Sequence, residues 1–568
     1  MIESAYKSGP SRRGSYQVVL PDPKPKVVAA WLDELPLANL LYCFDAIEGA
    51  LEYFNADLGI HAGTRLELAK LMTPVVSMLV EQAEAHFIDA PLPYHPKAEF
   101  YSSLAYRLQF GLGMAYALSA FEVKPSSGWF GPSGNQPLTA VYRAFQHLGL
   151  AQLRVAQQYL TPSLEFWAML FRLYYHAEAK GLLQKYYDEP SEPEACRTPL
   201  GLFKRSLMFD LASTRHLRQR EMARAFELLG ALSDHAKWGN NPAQDWHSAE
   251  FVIHLDQVRP PARNPPGSLP GGDGNRFLYT LDLVRMVERF AEDSRQGIGR
   301  DRHGLDEVVL DSIARNLQGI QKRKADRKLL DTACRCVVGL NRLIAALSQP
   351  DRFWGQPPAS KSAPKAKPSR PLDIMPERDL DTEEIDLRSE ITLPKLLRRG
   401  QITREDIWIA VEDKWKGGVT AGTVVEGRIA NAGIHDYCIV WPMGKVAEIK
   451  VGELIGIRDE GHALFIGVIR WLHCGEGRVR FGVEMLTLAG EVLEVLDSNM
   501  KPVALGLLLP PEAGLRETPE LLTLPGKVHP GAAARVGDGS EGQFYRVYSL
   551  IKNAASFSRF SLTPAKIG

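Results

Sequence analysis

The residues that come closest to a catalytic or metal-binding pattern lie between positions 247 and 254. His247, Glu250 and His254 are residue types that bind zinc when two histidines share one helical face. Here the histidines are seven positions apart, and the apolar run Phe251–Leu255 predicts a strand rather than a helix. We therefore interpret the histidines as ordinary surface residues, and the sequence predicts no catalytic residue and no metal site.

Two further segments contain residue types that could bind a ligand. Gly271–Gly274 has no strand before it and no Lys-Ser/Thr after it, so it does not predict a phosphate loop. Gln321–Lys328 is the densest basic cluster of the chain and could contact RNA or an acidic partner. Because the cluster contains no aromatic residue on which a base could stack, a solvated junction between helices is the favoured interpretation.

The composition indicates a soluble protein of several domains. The chain has 568 residues, which predicts two to four domains at about 150 residues each. Its 67 basic and 67 acidic residues leave no net charge to attract a nucleic acid, so no nucleic-acid partner is predicted. Met1–Gln17 lacks an apolar stretch, and Phe110–Phe121 is shorter than the roughly 20 residues that a membrane span needs. We expect no signal peptide and no membrane insertion, and the dispersed cysteines predict the reducing cytoplasm.

Residues 36–348 carry a helical period, and residues 1–35 are predicted to be a flexible N-terminus. One apolar stripe with helical spacing consists of Val141, Phe145, Leu148, Ala151 and Val155. The pattern predicts helices paired in hairpins, including Leu305–Ile320 with Lys328–Leu347, and a strand-and-loop insertion near 245–276. Such a scaffold could bind a protein partner on a concave surface, and the alternative is a plain helical bundle.

The composition changes twice after this helical region. Residues 349–400 combine prolines, lysines and an acidic run, which predicts a disordered linker. Residues 401–500 have a period of two, as in Arg478–Met485, and predict a small antiparallel β-barrel. Residues 501–568 predict a further β-rich module with an amphipathic helix at Tyr545–Lys552. The predicted fold class is multidomain α + β, with an N-terminal all-α helical-hairpin scaffold, a C-terminal antiparallel barrel and a small β-rich module.

Four runs of the predicted barrel form a recognisable set. They are Gly427–Gly433, Val451–Leu454, Gly467–Leu472 and Phe481–Leu486. Together they resemble the PilZ domain, a small bacterial β-barrel. The resemblance implies an antiparallel PilZ-like barrel, and many PilZ domains are receptors for cyclic di-GMP. A helical region ahead of such a barrel is typical of bacterial signalling proteins.

The resemblance also implies candidate ligand contacts. Nucleotide-binding PilZ domains have an Arg-x-x-x-Arg before the barrel, whose guanidinium planes suit guanine and phosphate, and an Asp/Asn-x-Ser-x-x-Gly turn. Arg399 and Arg404 are the arginines nearest the predicted barrel, but four residues separate them instead of three. Asn431 begins the turn, where Gly433 replaces the serine and Asp436 replaces the glycine. The candidate cyclic di-GMP contacts are Arg399, Arg404, Arg428 and Asn431.

These features predict a non-enzymatic bacterial regulator or adaptor with an atypical PilZ-like domain. Because the carboxylate of Asp436 would repel a dianionic ligand, the barrel is predicted to act by protein contact in cyclic-di-GMP-related signalling. The helical scaffold would bind the protein partner, and no cofactor is predicted. The alternative is a genuine cyclic di-GMP receptor with a rearranged binding motif.

Overall fold

The structure is a computed structural model. It describes residues 18–122, 135–188, 196–240, 249–264, 274–296, 304–319, 328–354, 424–433, 436–442, 449–459, 464–475, 477–497, 499–512, 516–537, 542–554 and 556–565. These residues belong to two compact units. The first unit contains the described residues up to 319 apart from 91–93, and the second contains those three residues and the described residues from 328 onwards.

The first unit is mainly helical. Its helices are α1 (Pro25–Asp33), α2 (Leu40–Ala56), α3 (Ala62–Phe87), α4 (Pro96–Glu122), α5 (Gln136–Gln157), α6 (Leu164–Ala179), α7 (Pro199–Leu211), α8 (Gln219–Ala231), α9 (Leu281–Arg295) and α10 (Glu307–Leu317). The stripe predicted on α5 is confirmed, because its residues Val141, Phe145, Leu148 and Ala151 are all buried. The flexible N-terminus is wrong for the residues of α1, where Pro25 occupies the first turn and Val28 is buried.

The long apolar stretch in α4 lies inside the first unit. Every residue from Phe110 to Ala120 is buried. Two glycines let neighbouring helices approach closely, since the Cβ position of Gly111 lies 3.5 Å from Leu51 and that of Gly113 lies 3.1 Å from Leu148. None of the described helices combines the length and the hydropathy that a membrane-spanning segment needs.

A small antiparallel sheet completes the first unit. Its strands are β1 (Lys237–Gly239), β2 (Phe251–His254), β3 (Ala262–Arg263) and β4 (Asn275–Tyr279), in the order β1-β4-β2-β3. The strand predicted at Phe251 is confirmed, and its side chains Phe251, Val252 and Ile253 are buried. His254 at the end of β2 contacts Asn275 Oδ1 through its Nδ1 at 2.7 Å. Burial lowers the pKa of His254 to about 4, so the ring is neutral at physiological pH. His247 lies outside the described residues.

The second unit contains two closed antiparallel barrels. The strands of the first barrel are β5 (Lys328–Val338), β6 (Val425–Ala432), β7 (Asp436–Pro442), β8 (Leu454–Asp459), β9 (Phe465–Gly475) and β10 (Arg478–Thr487), arranged β10-β7-β6-β5-β8-β9. The strands of the second barrel are β11 (Glu491–Leu496), β12 (Pro502–Leu509), β13 (Glu520–Thr523), β14 (Ala533–Val536), β15 (Gln543–Asn553) and β16 (Ser558–Ala565), arranged β11-β12-β13-β16-β15-β14. The predicted multidomain α + β fold is confirmed.

Three element predictions in this unit are wrong. The first half of the helix expected at Lys328–Leu347 is strand β5, because Cys334 and Cys336 alternate with the more exposed Arg335. The helix expected at Tyr545–Lys552 lies within strand β15, which buries Tyr545 and Val547 with a period of two. Strand β11 lies inside the span 401–500 expected for the first barrel but pairs within the second.

One helix joins the cores of the two barrels. Strand β5 is followed by Gly339, whose φ of +94° is a conformation that favours glycine. The chain then forms α11 (Leu340–Ser348) and the short α12 (Pro350–Trp354). The apolar face of α11 packs in one cluster with Leu454 of the first barrel and Leu507 of the second. Because α12 buries Trp354, the predicted disordered linker is wrong for residues 350–354, and its remainder lies outside the described residues.

Candidate functional site

The turn between β6 and β7 holds the second sequence motif. Asn431 lies near the end of β6, where a β-bulge shifts the register between Ile429 and Asn431. Gly433 donates its N–H to the carbonyl of Asp436 at 2.8 Å and so closes the turn. A Cβ at Gly433 would overlap the Asp436 carboxylate. The two departures from the PilZ motif are therefore coupled, because a serine at 433 requires the Asp436 side chain to move.

Strand β5 brings the start of the barrel to this turn. Lys328, its first residue, lies opposite Ala432, and Leu329 lies opposite Asn431. A bulge between Leu329 and Thr332 matches the irregularity in β6, and bulges often re-aim side chains next to binding sites. Lys328 therefore lies beside the β6–β7 turn. The segment that precedes Lys328 in the sequence is attached to the barrel at that point.

Arg428 on β6 is held by its neighbour on β5. Its Nε donates to Asp331 Oδ1, and its Nη2 donates to the Asp331 carbonyl at 2.9 Å. Both side chains are substantially exposed, at 48% and 41%, so the ion pair contributes at most about 1 kcal/mol to stability. The pair fixes the guanidinium on the outer wall of the barrel, three positions before Asn431.

An aromatic surface lies in the same row of the barrel wall. Asn431 is opposite Cys438 on β7, Cys438 is opposite Gly482 on β10, and Gly482 is opposite Trp471 on β9. Directly opposed residues of antiparallel strands share a face of the sheet. A Cβ at Gly482 would overlap the indole of Trp471, so the half-exposed ring lies across this glycine. With about 4.8 Å between strands, Gly482 is about 10 Å from Asn431.

Burial keeps two thiols of the first barrel, Cys336 and Cys474, in their protonated form. Cys334 and Cys336 are buried, with their sulfur atoms 3.9 Å apart. Burial raises the pKa of Cys336 well above its usual value and that of Cys474 to about 12. A protonated thiol is a poor nucleophile and a poor metal ligand, so Cys336 and Cys474 are not candidates for either role. Within the described ranges no group of three or more His, Cys, Asp or Glu residues could hold a metal ion.

The structure places two of the four predicted contacts together. Arg428 and Asn431 both lie on β6 beside the turn, whereas Arg399 and Arg404 lie outside the described residues. The sequence analysis placed the start of the barrel after residue 400, and its true first strand, β5, begins at Lys328.

That correction changes which arginines precede the barrel. Directly before Lys328 the sequence reads Arg323-Lys324-Ala325-Asp326-Arg327, an Arg-x-x-x-Arg with the family spacing. The cluster 321–328 that was interpreted as a helix junction contains this motif, and residues up to 327 lie outside the described residues. Two features of the sequence indicated this arrangement. One is the Arg-x-x-x-Arg spacing of Arg323 and Arg327, and the other is the alternation of Cys334 and Cys336, which marks the following strand.

Comparisons with known proteins agree with this architecture. Two family models match the chain, and one of them is a PilZ-domain model. Residues 251–491 match the family model described as the middle PilZ domain of the cyclic-di-GMP receptor FimW, and residues 26–243 match the model of the N-terminal domain of that receptor. A relative from Pseudomonas aeruginosa strain PAO1, named Cyclic-di-GMP receptor FimW, is 24% identical over 510 residues, which cover 83% of this chain and 78% of the relative. The predicted family and the predicted class, a bacterial regulatory protein, are confirmed.

Proposed function

We propose that the chain is a non-catalytic receptor for cyclic di-GMP whose site lies between the start of β5 and the β6–β7 turn. The observation that carries the proposal is the pairing of Lys328 with Ala432 and of Leu329 with Asn431. Arg327 is bonded to Lys328, so the Arg323–Arg327 motif is attached to the paired strands β5 and β6. The second motif begins at Asn431, near the end of β6. In this proposal, Arg323 and Arg327 bind the ligand in place of Arg399 and Arg404.

The chemistry of the proposed contacts fits a cyclic dinucleotide. Arg323 and Arg327 would supply planar guanidinium groups that donate forked hydrogen bonds to phosphate or guanine edges and stack on the bases. Arg428 adds a third guanidinium that Asp331 already orients. The side-chain amide of Asn431 can donate to and accept from a guanine edge.

Trp471 supports the proposal as a stacking surface for one guanine. We expect Trp471→Ala to weaken cyclic di-GMP binding by about 5-fold to 100-fold, since stacking of a base on an aromatic ring contributes about 1–3 kcal/mol. Gly482→Ala should weaken binding similarly, because the new methyl group displaces the indole from its position. Isothermal titration of the full chain measures both effects, with Trp354→Phe, a buried tryptophan elsewhere in the unit, as the control. Unchanged affinity in Trp471→Ala would remove this residue from the site.

The altered turn makes a prediction with opposite signs for two variants. Gly433→Ser alone should weaken binding, because the serine Cβ and the Asp436 carboxylate compete for one position. The double variant Gly433→Ser/Asp436→Gly removes that overlap and also the carboxylate that would repel the phosphates of a bound ligand. We expect it to bind about 5-fold to 10-fold more tightly than the natural chain, the equivalent of roughly 1 kcal/mol of relieved repulsion. Equal affinity of both variants in titration calorimetry would show that the ligand does not reach this turn.

The direct test of the function is titration of the full chain with cyclic di-GMP, with GMP as the control ligand. The receptor hypothesis predicts saturable heat for the cyclic dinucleotide and none for GMP. Silence with both ligands would contradict it and would favour the hypothesis of a barrel used only for protein contact.

We also propose which unit of the chain binds the protein partner. The mainly helical first unit would bind the protein partner that responds to the ligand state, as the sequence pattern predicts. The setting would be the reducing cytoplasm, which is supported by six free cysteines that are all buried.

A further inference from the structure

Strand β10 places an arginine on the outer wall of the first barrel, beside Trp471. Arg480 and Gly482 flank Phe481, which is fully buried and packs edge-to-face on Trp441. Since residues i and i+2 of a strand share a face, Arg480 lies on the same outer face as Gly482, about 7 Å from it along the strand. Arg480 is therefore the next outward side chain after the glycine that the indole covers.

The cross-strand neighbours of Arg480 lead back to the proposed site. Arg480 is opposite Val440 on β7, and Val440 is opposite Arg428 on β6. Two strand spacings, about 10 Å, separate Arg480 from Arg428. The row that contains these two arginines runs beside the row from Asn431 to Trp471.

Arg480 differs from two neighbouring arginines in its charge environment. Arg428 donates to the Asp331 carboxylate, and Arg470 on β9 donates to the Glu484 carboxylate. Within the described ranges the half-exposed Arg480 side chain forms no ion pair and no hydrogen bond. Its N–H donors are available to a ligand, which does not have to displace a carboxylate to reach them.

The position of the indole sets which part of a ligand Arg480 can reach. The indole lies against Gly482, because a Cβ there would overlap its Nε1. A guanine stacked on Trp471 would lie about 3.5–4 Å beyond the ring, on its solvent side. The long side chain of Arg480 starts from the same strand and extends outward past the indole. Its guanidinium can therefore approach the edge of the stacked base from the side.

We propose that Arg480 donates a forked pair of hydrogen bonds to O6 and N7 of the guanine stacked on Trp471, and so makes the site prefer guanine to adenine. The inference rests on the proposed function and names the base that this part of the site selects. Guanine presents two adjacent acceptors, O6 and N7, which match the fork of an arginine. Adenine carries an amino group in place of O6, and two donors cannot pair.

Substitutions at Arg480 test the contact by titration calorimetry of the full chain. We expect Arg480→Ala to weaken cyclic di-GMP binding by about 5-fold to 100-fold and to change cyclic di-AMP binding by less than about 2-fold, because adenine does not accept the fork. Arg480→Lys keeps the charge but not the fork, so it should recover only part of the loss.

The matched control is Arg478→Ala, which removes the same charge from an exposed position on the same face of β10. Position 478 is about 14 Å from Gly482 along the strand. We expect the control to change the affinity for cyclic di-GMP by less than about 3-fold, since an exposed charge acts weakly over such a distance. Circular dichroism checks that each variant is folded.

The outcomes separate the role of Arg480 from the function on which it rests. If the natural chain gives no heat with cyclic di-GMP, both are overturned. If the natural chain binds, the role of Arg480 alone is overturned by unchanged affinity in Arg480→Ala, by an equal loss in Arg478→Ala, or by full recovery in Arg480→Lys. An equal loss for cyclic di-AMP would also overturn it, because Arg480 would then contact a phosphate instead of the guanine edge.

Discussion

Replacing Arg323 and Arg327 together with alanine is expected to weaken cyclic di-GMP binding at least about 100-fold. Each charge-assisted hydrogen bond to a phosphate or a guanine edge is worth about 1.5–3 kcal/mol, and 1.4 kcal/mol corresponds to a factor of about ten. Both residues precede strand β5 in the sequence. Titration calorimetry on the full chain gives the affinities, and circular dichroism verifies that the double variant is folded.

The matched control is the other arginine pair. Arg399→Ala/Arg404→Ala removes the same number of charges from a segment that comes before β6 but not before the first strand of the barrel. We expect an affinity within about 3-fold of the natural chain, because the proposed ligand contacts come from Arg323 and Arg327 instead. A loss of binding in this control, with binding intact in Arg323→Ala/Arg327→Ala, would return the site to the arginines that the sequence analysis chose.

Leu343→Ala is expected to destabilise both barrels together by about 2–5 kcal/mol, the range for removing a fully buried leucine. Leu343 on α11 is 0% exposed and belongs to the cluster that joins the two barrels. Its side chain occupies the space above Gly456, where a Cβ would overlap it. Urea denaturation of the full chain measures the loss of unfolding free energy. Leu347→Ala, a partly buried position on the same helix, should cost less.

Hydrogen exchange can show whether both barrels are destabilised in the Leu343→Ala variant. If α11 links their cores, peptides from β9 in the first barrel and from β12 in the second should lose protection by similar amounts. Loss of protection confined to one barrel would mean that the cluster does not couple them.

The sequence predicted those parts of the fold whose pattern is local. The strand pairs β6–β7, β8–β9 and β9–β10 were predicted because a short connection joins the two strands of each pair, as at Gly477 between β9 and β10. Strand β5 was missed for two reasons. The apolar spacing of Leu340, Leu343 and Ile344 is truly helical, and it was extended backwards into the strand. The partners of β5 are β6 and β8, both far along the chain, and no local pattern reveals such a pairing.

The same error determined which arginines were chosen for half of the candidate site. Asn431 and Arg428 were found because their motif lies within a contiguous strand and turn. The arginine pair has to be located relative to the first strand of the barrel, so an incorrect first strand led to Arg399 and Arg404. The coupling between Gly433 and Asp436 was also beyond the sequence, because it depends on where one side chain lies across a closed turn. Gly433 and Asp436 therefore depart from the PilZ motif together, because the Asp436 carboxylate occupies the position that a side chain at 433 would need.

The most direct test of the central claim is hydrogen–deuterium exchange of the full chain with and without cyclic di-GMP. We predict that saturating ligand slows exchange in peptides that contain Arg323–Leu329 and Arg428–Tyr437, and leaves peptides around Arg399–Arg404 unchanged. Protection that appears around Arg399–Arg404 and spares the start of β5 would contradict the account, as would identical exchange in both states.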